Sequence, residues 1–246
     1  MALVQPIPAA DRDNGRRIRP TLRGDLRRSL ADAAISLALS AVVFAVLGMR
    51  VRAGVDPALL EMPSMMSSGG IWPYTFSQSF GWIALLWSWL TILLGVSLPI
   101  WGQMARPRVR ELVERLHRST SLTVIALIVV HAASLIWDKM GDSIITVFVP
   151  WTTSYLPGRF PQALGIVSFY LAVIFGLGFY VRDRIGFRTW QLLHRYMIPM
   201  VYILAVWHTL LYGSDVHAPN PLWVAIWALQ LPILVAFAIR LRVAIK

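Results

Sequence analysis

Six stretches of the chain are almost unbroken apolar runs: residues 30–49, 80–101, 119–137, 160–181, 196–213 and 222–239. A helix needs about 20 mostly apolar residues to cross a bilayer, and each run is close to that length. Asp32, near the start of the first, is the one acidic or basic residue inside them. The pattern predicts an all-α integral membrane bundle of six transmembrane helices over residues 30–246, preceded by a basic tail at 1–29. The connections 50–79 and 138–159 are long enough to form caps, whereas 214–221 is short.

Composition excludes a soluble globule. Of 246 residues, 57% are hydrophobic and only 14% charged, and the mean hydropathy is +0.62. Ordinary soluble domains carry about 25% charged residues. With no cysteine in the chain, disulfide frameworks, thiolate metal sites, iron–sulfur clusters and cysteine nucleophiles are excluded.

The 23 Lys+Arg against 12 Asp+Glu would suggest nucleic acid in a soluble protein. Here the basic residues report topology first. Nineteen of the 23 fall on one side if the N-terminus is cytoplasmic, and only Arg50, Arg52, Lys139 and Arg159 fall on the other. Both termini are therefore expected in the cytoplasm of a multi-pass plasma-membrane protein, with no nucleic acid partner. The tail, with Pro6, Pro8, Pro20 and seven arginines, reads as a disordered segment lying on anionic lipid. Arg16-Arg17 lacks the short apolar region and small-residue cleavage site of an export signal, so the first apolar segment is expected to be retained. Gly176 and Gly178 sit inside an apolar run without a third glycine or a preceding strand, which rules out a dinucleotide loop. No soluble domain is expected after Ile239.

Four of the five histidines lie on two of the six runs. His117 and His131 bracket the third, His194 and His208 the fifth, and both spacings are fourteen residues. Fourteen residues is just under four helical turns, so each pair returns to one face about 21 Å apart along the axis. Both helices run in the same direction, because both follow inner connections. His117 and His194 thus share the inner depth, and His131 and His208 the outer. A neutral imidazole is an axial ligand for haem iron. The spacing therefore points to two stacked bis-histidine b-type haems (heme b), the inner one on His117/His194 and the outer on His131/His208. Intramembrane histidines also serve proton relays and ion pathways, and the alternative reading is a proton or metal transporter. Such a protein is expected to place its binding groups near the midplane on broken helices. Arginine follows each inner histidine, at Arg118 and Arg195. Both are candidates for pairing with haem propionates, and both also mark the cytoplasmic border.

The run from Leu116 to Asp138, the stretch Val149 to Tyr155 and the run from Leu192 to Asp215 resemble the ferric-reductase-like transmembrane domain. That domain is shared by ferric reductases, NADPH oxidases and the haem subunit of the bacterial methionine sulfoxide reductase system, and the resemblance covers roughly residues 80–240. It implies that electrons enter from the cytoplasm, pass the inner and then the outer haem, and leave on the far side. Larger members carry a flavin and nicotinamide domain after the sixth helix. Here the donor is expected to be a separate cytoplasmic flavin/NAD(P)H reductase or quinol. The acceptor is expected to be extracytoplasmic: a ferric chelate, oxygen or a partner reductase. NADPH oxidases carry a further histidine one turn beyond the outer ligand, where this chain has Leu135.

Secondary candidates surround this frame. Val124, Val201 and Tyr202 are expected between the two haems; Trp207, beside His208, is a candidate to pack on the outer one but is expected to serve as an interfacial anchor. Asp138, Asp142, Asp215 and His217 offer hard ligands for an outer acceptor site, and Met62, Met65 and Met66 soft ones, although residues of these types in loops more often are simply solvated or packed. Pro199 should bend the fifth helix between its histidines.

Overall fold

The computed structural model describes residues 20–61, 69–104, 107–137, 143–153, 156–216 and 220–245. All regular structure among them is helical. The long helices are α1 (Leu22–Arg52), α3 (Ile71–Met104), α4 (Pro107–Ser134), α6 (Leu156–Leu177) and α8 (Phe187–Tyr212). Shorter ones are α2 (Pro57–Glu61), α5 (Ile144–Phe148), α7 (Arg182–Ile185), α9 (Pro221–Ala228) and α10 (Gln230–Ile245).

Five helical segments are long and apolar enough to cross a membrane: Leu22–Arg52, Ile71–Ile100, Pro107–Trp137, Pro157–Ile185 and Pro221–Arg242. The predicted stretch 196–213 is helical throughout within α8 up to Tyr212 but does not join them. Within α8, Arg188, His194 and Arg195 precede that stretch and Pro199 and His208 lie inside it, so the histidines that give α8 its chemistry are among the residues that lower its hydropathy. Large apolar side chains such as Leu30, Val42, Ile174 and Leu231 are at least 60% exposed, as lipid-facing surfaces are.

The last apolar run is two helices, not one. Pro232 has no N–H to offer the carbonyl of Ala228, so the hydrogen-bond ladder breaks around Leu229. The indole of Trp89 on α3 donates to the Leu229 carbonyl at 2.6 Å, which ties the junction of α9 and α10 to the bundle.

Helix α3 packs along α4, and α6 along α8, each pair antiparallel; α1 and the α9–α10 segment flank α3. Two polar clamps hold the ends. At one, α1 starts at Leu22, capped by the Thr21 hydroxyl, which accepts from the Gly24 N–H. Residues 22–29 are therefore helical and do not belong to a disordered tail; residues 1–19 lie outside the described set. Asp25, 1% exposed, accepts from Arg118 at 3.0 Å, from the Tyr180 hydroxyl at 3.0 Å and from Arg28 at 3.3 Å. One carboxylate thus joins α1, α4 and the 3-10 turn Gly178–Val181.

At the other end Asp215, in the 3-10 turn Ser214–Val216, is buried beside Arg50 at 2.7 Å and accepts from Gln78 at 2.7 Å. Arg50 also lies 3.6 Å from buried Asp56. This clamp joins the end of α1 to α3 and to the turn after α8.

The two arginines on Asp25 differ in exposure, with side chains 16% exposed for Arg118 and 56% for Arg28. Removing one partner of a buried pair costs about 3–5 kcal/mol, whereas an exposed pair is worth at most about 1 kcal/mol. Asp25→Ala is therefore expected to lower the thermal midpoint of the detergent-solubilised protein strongly, and Arg28→Ala only slightly. Equal shifts for the two variants would contradict the clamp.

Candidate functional site

The four histidines come together in two pairs. The ring centroids of His117 and His194 are 6.1 Å apart with the planes at 88°, and those of His131 and His208 are 6.4 Å apart at 74°. All four are contributed by α4 and α8, which approach each other with the pairs one above the other.

Each ring is held from behind by the antiparallel neighbour of its own helix. His117 Nδ1 lies 3.0 Å from the carbonyl of Thr91, and His131 Nδ1 2.8 Å from that of Ser77, both on α3. His208 Nδ1 lies 2.8 Å from the carbonyl of Pro161, and His194 Nδ1 3.3 Å from that of Phe175, both on α6. A carbonyl only accepts, so each Nδ1 carries the proton and donates. That fixes the tautomer and leaves Nε2 as the free basic nitrogen of each ring. The Ser77 hydroxyl reinforces one bond, lying 3.0 Å from His131 Nδ1 and donating to the His131 carbonyl at 2.8 Å.

These carbonyls repeat the interval of the histidines. Ser77 and Thr91 are fourteen residues apart, as are Pro161 and Phe175. The partner helices therefore carry the same register in the opposite direction. The histidine spacing alone did not find these acceptors, since any residue supplies a carbonyl.

Aromatic rings extend both sites along α8. Trp190 stacks on His194 with centroids 5.0 Å apart, and Tyr212 on His208 at 5.7 Å. Each sits one turn from its histidine, toward the helix end. Trp207 is 50% exposed, which fits an interfacial anchor better than a packing partner of the outer site.

The donor chemistry fits a planar macrocyclic metal. An imidazole nitrogen binds a first-row metal at about 2.0–2.1 Å, and the ring centre lies about 1 Å behind it, so two imidazoles sharing one metal put their centres about 6 Å apart. Both pairs have that separation. Among the described residues no three His, Cys, Asp or Glu side chains converge. Each pair therefore offers two axial nitrogens and no equatorial ligands, which a porphyrin supplies itself. Around His131 and His208 lies a cavity of about 1310 Å³ including its open mouth, walled by Gly81, Leu85, Ile128, Ile166 and Phe169 among others. Beside His194, the Trp190 Nε1 is buried with no hydrogen-bond partner and lies against Gly178.

The arginines and secondary candidates are placed less simply. Arg118 is engaged by Asp25, while Arg195 is exposed and near enough to Arg240 for the two charges to repel. Asp215 is consumed by the Arg50 clamp and is no open metal ligand. Val124 and Val201 are buried, but Tyr202 packs with Ile92, Val206 and Ile226, toward α3 and α9, and not into the space between the histidine pairs. Asp138, Asp142, His217, Met62, Met65 and Met66 lie outside the described residues.

Residues 80–215 match the family model described as ferric reductase like transmembrane component. No curated protein and no solved structure matches the chain. The matched region holds all four histidines and the carbonyls of Thr91, Pro161 and Phe175, with Ser77 just before it, and it leaves out α1, α9 and α10. Spanning more than half of the sequence, it shows that this multi-pass membrane protein belongs to the ferric-reductase-like transmembrane component family.

Proposed function

We propose that the protein is a transmembrane b-type cytochrome. It passes electrons from a cytoplasmic donor through two bis-histidine haems to an acceptor on the far side. The observation that carries this reading is the state of the four imidazoles: each has its Nδ1–H bound to a backbone carbonyl and its Nε2 free beside a second imidazole. A proton relay has no use for four rings locked in one tautomer, whereas axial ligation requires it.

Haem iron supplies reversible one-electron transfer when held by such ligands. The chain's part is to hold two centres about 21 Å apart along α4 and α8 and to keep water from both. His117 and His194 form the inner site, His131 and His208 the outer. Trp190 lies on the cytoplasmic side of the inner site and lengthens the aromatic surface a donor meets. Tyr212 does the same on the outer side. Arg195 is free to pair with a carboxylate at the inner site. Arg118, already bound to Asp25, would have to share its guanidinium to do so.

In this reading α8 is the sixth span. It runs antiparallel to α6 and, at 26 residues, is about 39 Å long, enough to cross the roughly 30 Å hydrocarbon layer. The arginine distribution supports a cytoplasmic position for both termini. The donor is a flavin/NAD(P)H reductase or a quinol on the cytoplasmic side. The acceptor is a ferric chelate, oxygen or a partner protein, reached through the plasma membrane's outer face.

A reduced-minus-oxidised absorption spectrum of the purified protein, with haem quantified per chain, tests the reading. A low-spin b-type spectrum with about two haems per chain is expected. His117→Ala and His131→Ala should each bring the content to about one, with loss of different spectral components. Haem-free protein after reconstitution would overturn the proposal.

Orientation has a separate check. Because the chain contains no cysteine, single substitutions report cleanly. A membrane-impermeant thiol reagent applied outside intact cells should label Ile144→Cys and leave Phe187→Cys unlabelled until the membrane is opened. The reverse pattern would invert the assigned direction of electron flow.

A further inference from the structure

Each histidine borrows a carbonyl that already belongs to a helix. In an α-helix the oxygen of residue i accepts from the N–H of residue i+4, and the side chain at i+4 stands beside that oxygen. This is why serine and threonine hydroxyls bond back four residues, as Thr75 does to Ile71 and Ser88 to Ala84. A neighbouring helix can reach the oxygen's second lone pair only where nothing large stands at i+4.

At three of the four sites the residue at i+4 is glycine. Gly81 follows Ser77, Gly95 follows Thr91 and Gly165 follows Pro161. A Cβ on Gly165 would lie 2.8 Å from Nδ1 and 2.9 Å from Cε1 of His208. On Gly95 it would lie 2.9 Å from Cε1 of His117, and on Gly81 3.0 Å from both Cε1 and Nδ1 of His131. These rings are not free ends that swing aside. Each is pinned by its Nδ1 bond, and a ring that retreats from a new methyl group gives that bond up. Gly81 and Gly95 are fourteen residues apart, like the histidines they face. By the same interval the fourth position is Phe179. There α6 has already passed into the 3-10 turn Gly178–Val181, and the bond to His194 is the longest of the four at 3.3 Å.

We propose that Gly81, Gly95 and Gly165 are positioning residues for the ligand histidines. By leaving a carbonyl lone pair bare on the neighbouring helix, they set the tautomer of His131, His117 and His208 and aim each Nε2 at its facing ring. The inference rests on the haem reading above and extends it to residues that touch no metal. The Nδ1–H bond raises the basicity of the liganding nitrogen. Losing it weakens ligation and shifts the iron toward its reduced form.

The test compares Gly95→Ala, Gly165→Ala and Gly81→Ala with Gly176→Ala in full-length purified protein. Gly176 shares α6 with Gly165, but its added Cβ meets only Ile125 Cδ1 at an ordinary 3.4 Å. Haem affinity and the reduction midpoint of each haem are read for every variant. Gly165→Ala and Gly81→Ala should weaken the outer site about 10- to 100-fold, the range for losing an outer-shell partner, or raise that haem's midpoint. The inner haem should be unmoved. Gly95→Ala should do the converse, and Gly176→Ala neither. In each variant the untouched haem reports that the bundle has folded. Should Gly165→Ala fail to fold, Gly81→Ala probes the same histidine pair with a milder contact. Unchanged affinities and midpoints in a wild-type protein that binds two haems would overturn this inference and leave the haem reading standing. So would joint loss of both haems in all three variants with Gly176→Ala intact, because a general packing role predicts that. A wild-type protein that binds no haem would remove the reading beneath it.

Discussion

An imidazole N–H buried in hydrocarbon has no water to bond, and leaving it unpaired costs several kcal/mol. The architecture is arranged around that constraint. Each of the four histidines finds its acceptor on the backbone of the neighbouring antiparallel helix, so the α3–α4 and α6–α8 pairs are joined at matched depths. Backbone carbonyls are good acceptors for this purpose because no rotamer change can withdraw them. Once the N–H is satisfied, the second nitrogen is free for a ligand and cannot trade roles with the first.

The charged residues act at the ends of this frame and not in its middle. Asp25 gathers Arg118, Arg28 and Tyr180 at the His117 end, and Asp215 gathers Arg50 and Gln78 at the His131 end. Each clamp fastens α1 across the helices that carry the histidines and their acceptors. Both use carboxylates whose side chains are almost wholly buried, which makes them part of the scaffold.

Much of this was legible in the sequence. The helical class follows from the apolar runs, and the pairing of His117 with His194 and of His131 with His208 follows from a fourteen-residue interval on two helices of like direction. Other features were not. The helical start at Leu22 depends on Asp25 meeting Arg118 across 93 positions, a contact that no local pattern announces. The break at Leu229 follows from Pro232, a signal present but overshadowed by the hydropathy of the run. That Asp215 is a clamp and not a solvated loop residue was not legible, because its partner Arg50 lies 165 positions away. The interval from Gly81 to Gly95 matches that of the histidines and was visible. Its meaning appears only when the antiparallel neighbours are in place and the carbonyls four residues earlier are seen to be the acceptors.

In the proposed reading two pairs of carbonyl-tethered imidazoles would hold haem iron, and the planes within each pair are crossed at 88° and 74°. Electron paramagnetic resonance of the oxidised, haem-loaded protein tests that reading most directly. Crossed axial imidazoles leave the iron orbitals nearly degenerate, so two strongly anisotropic low-spin ferric signals are expected. High-spin ferric iron at both sites would contradict the account.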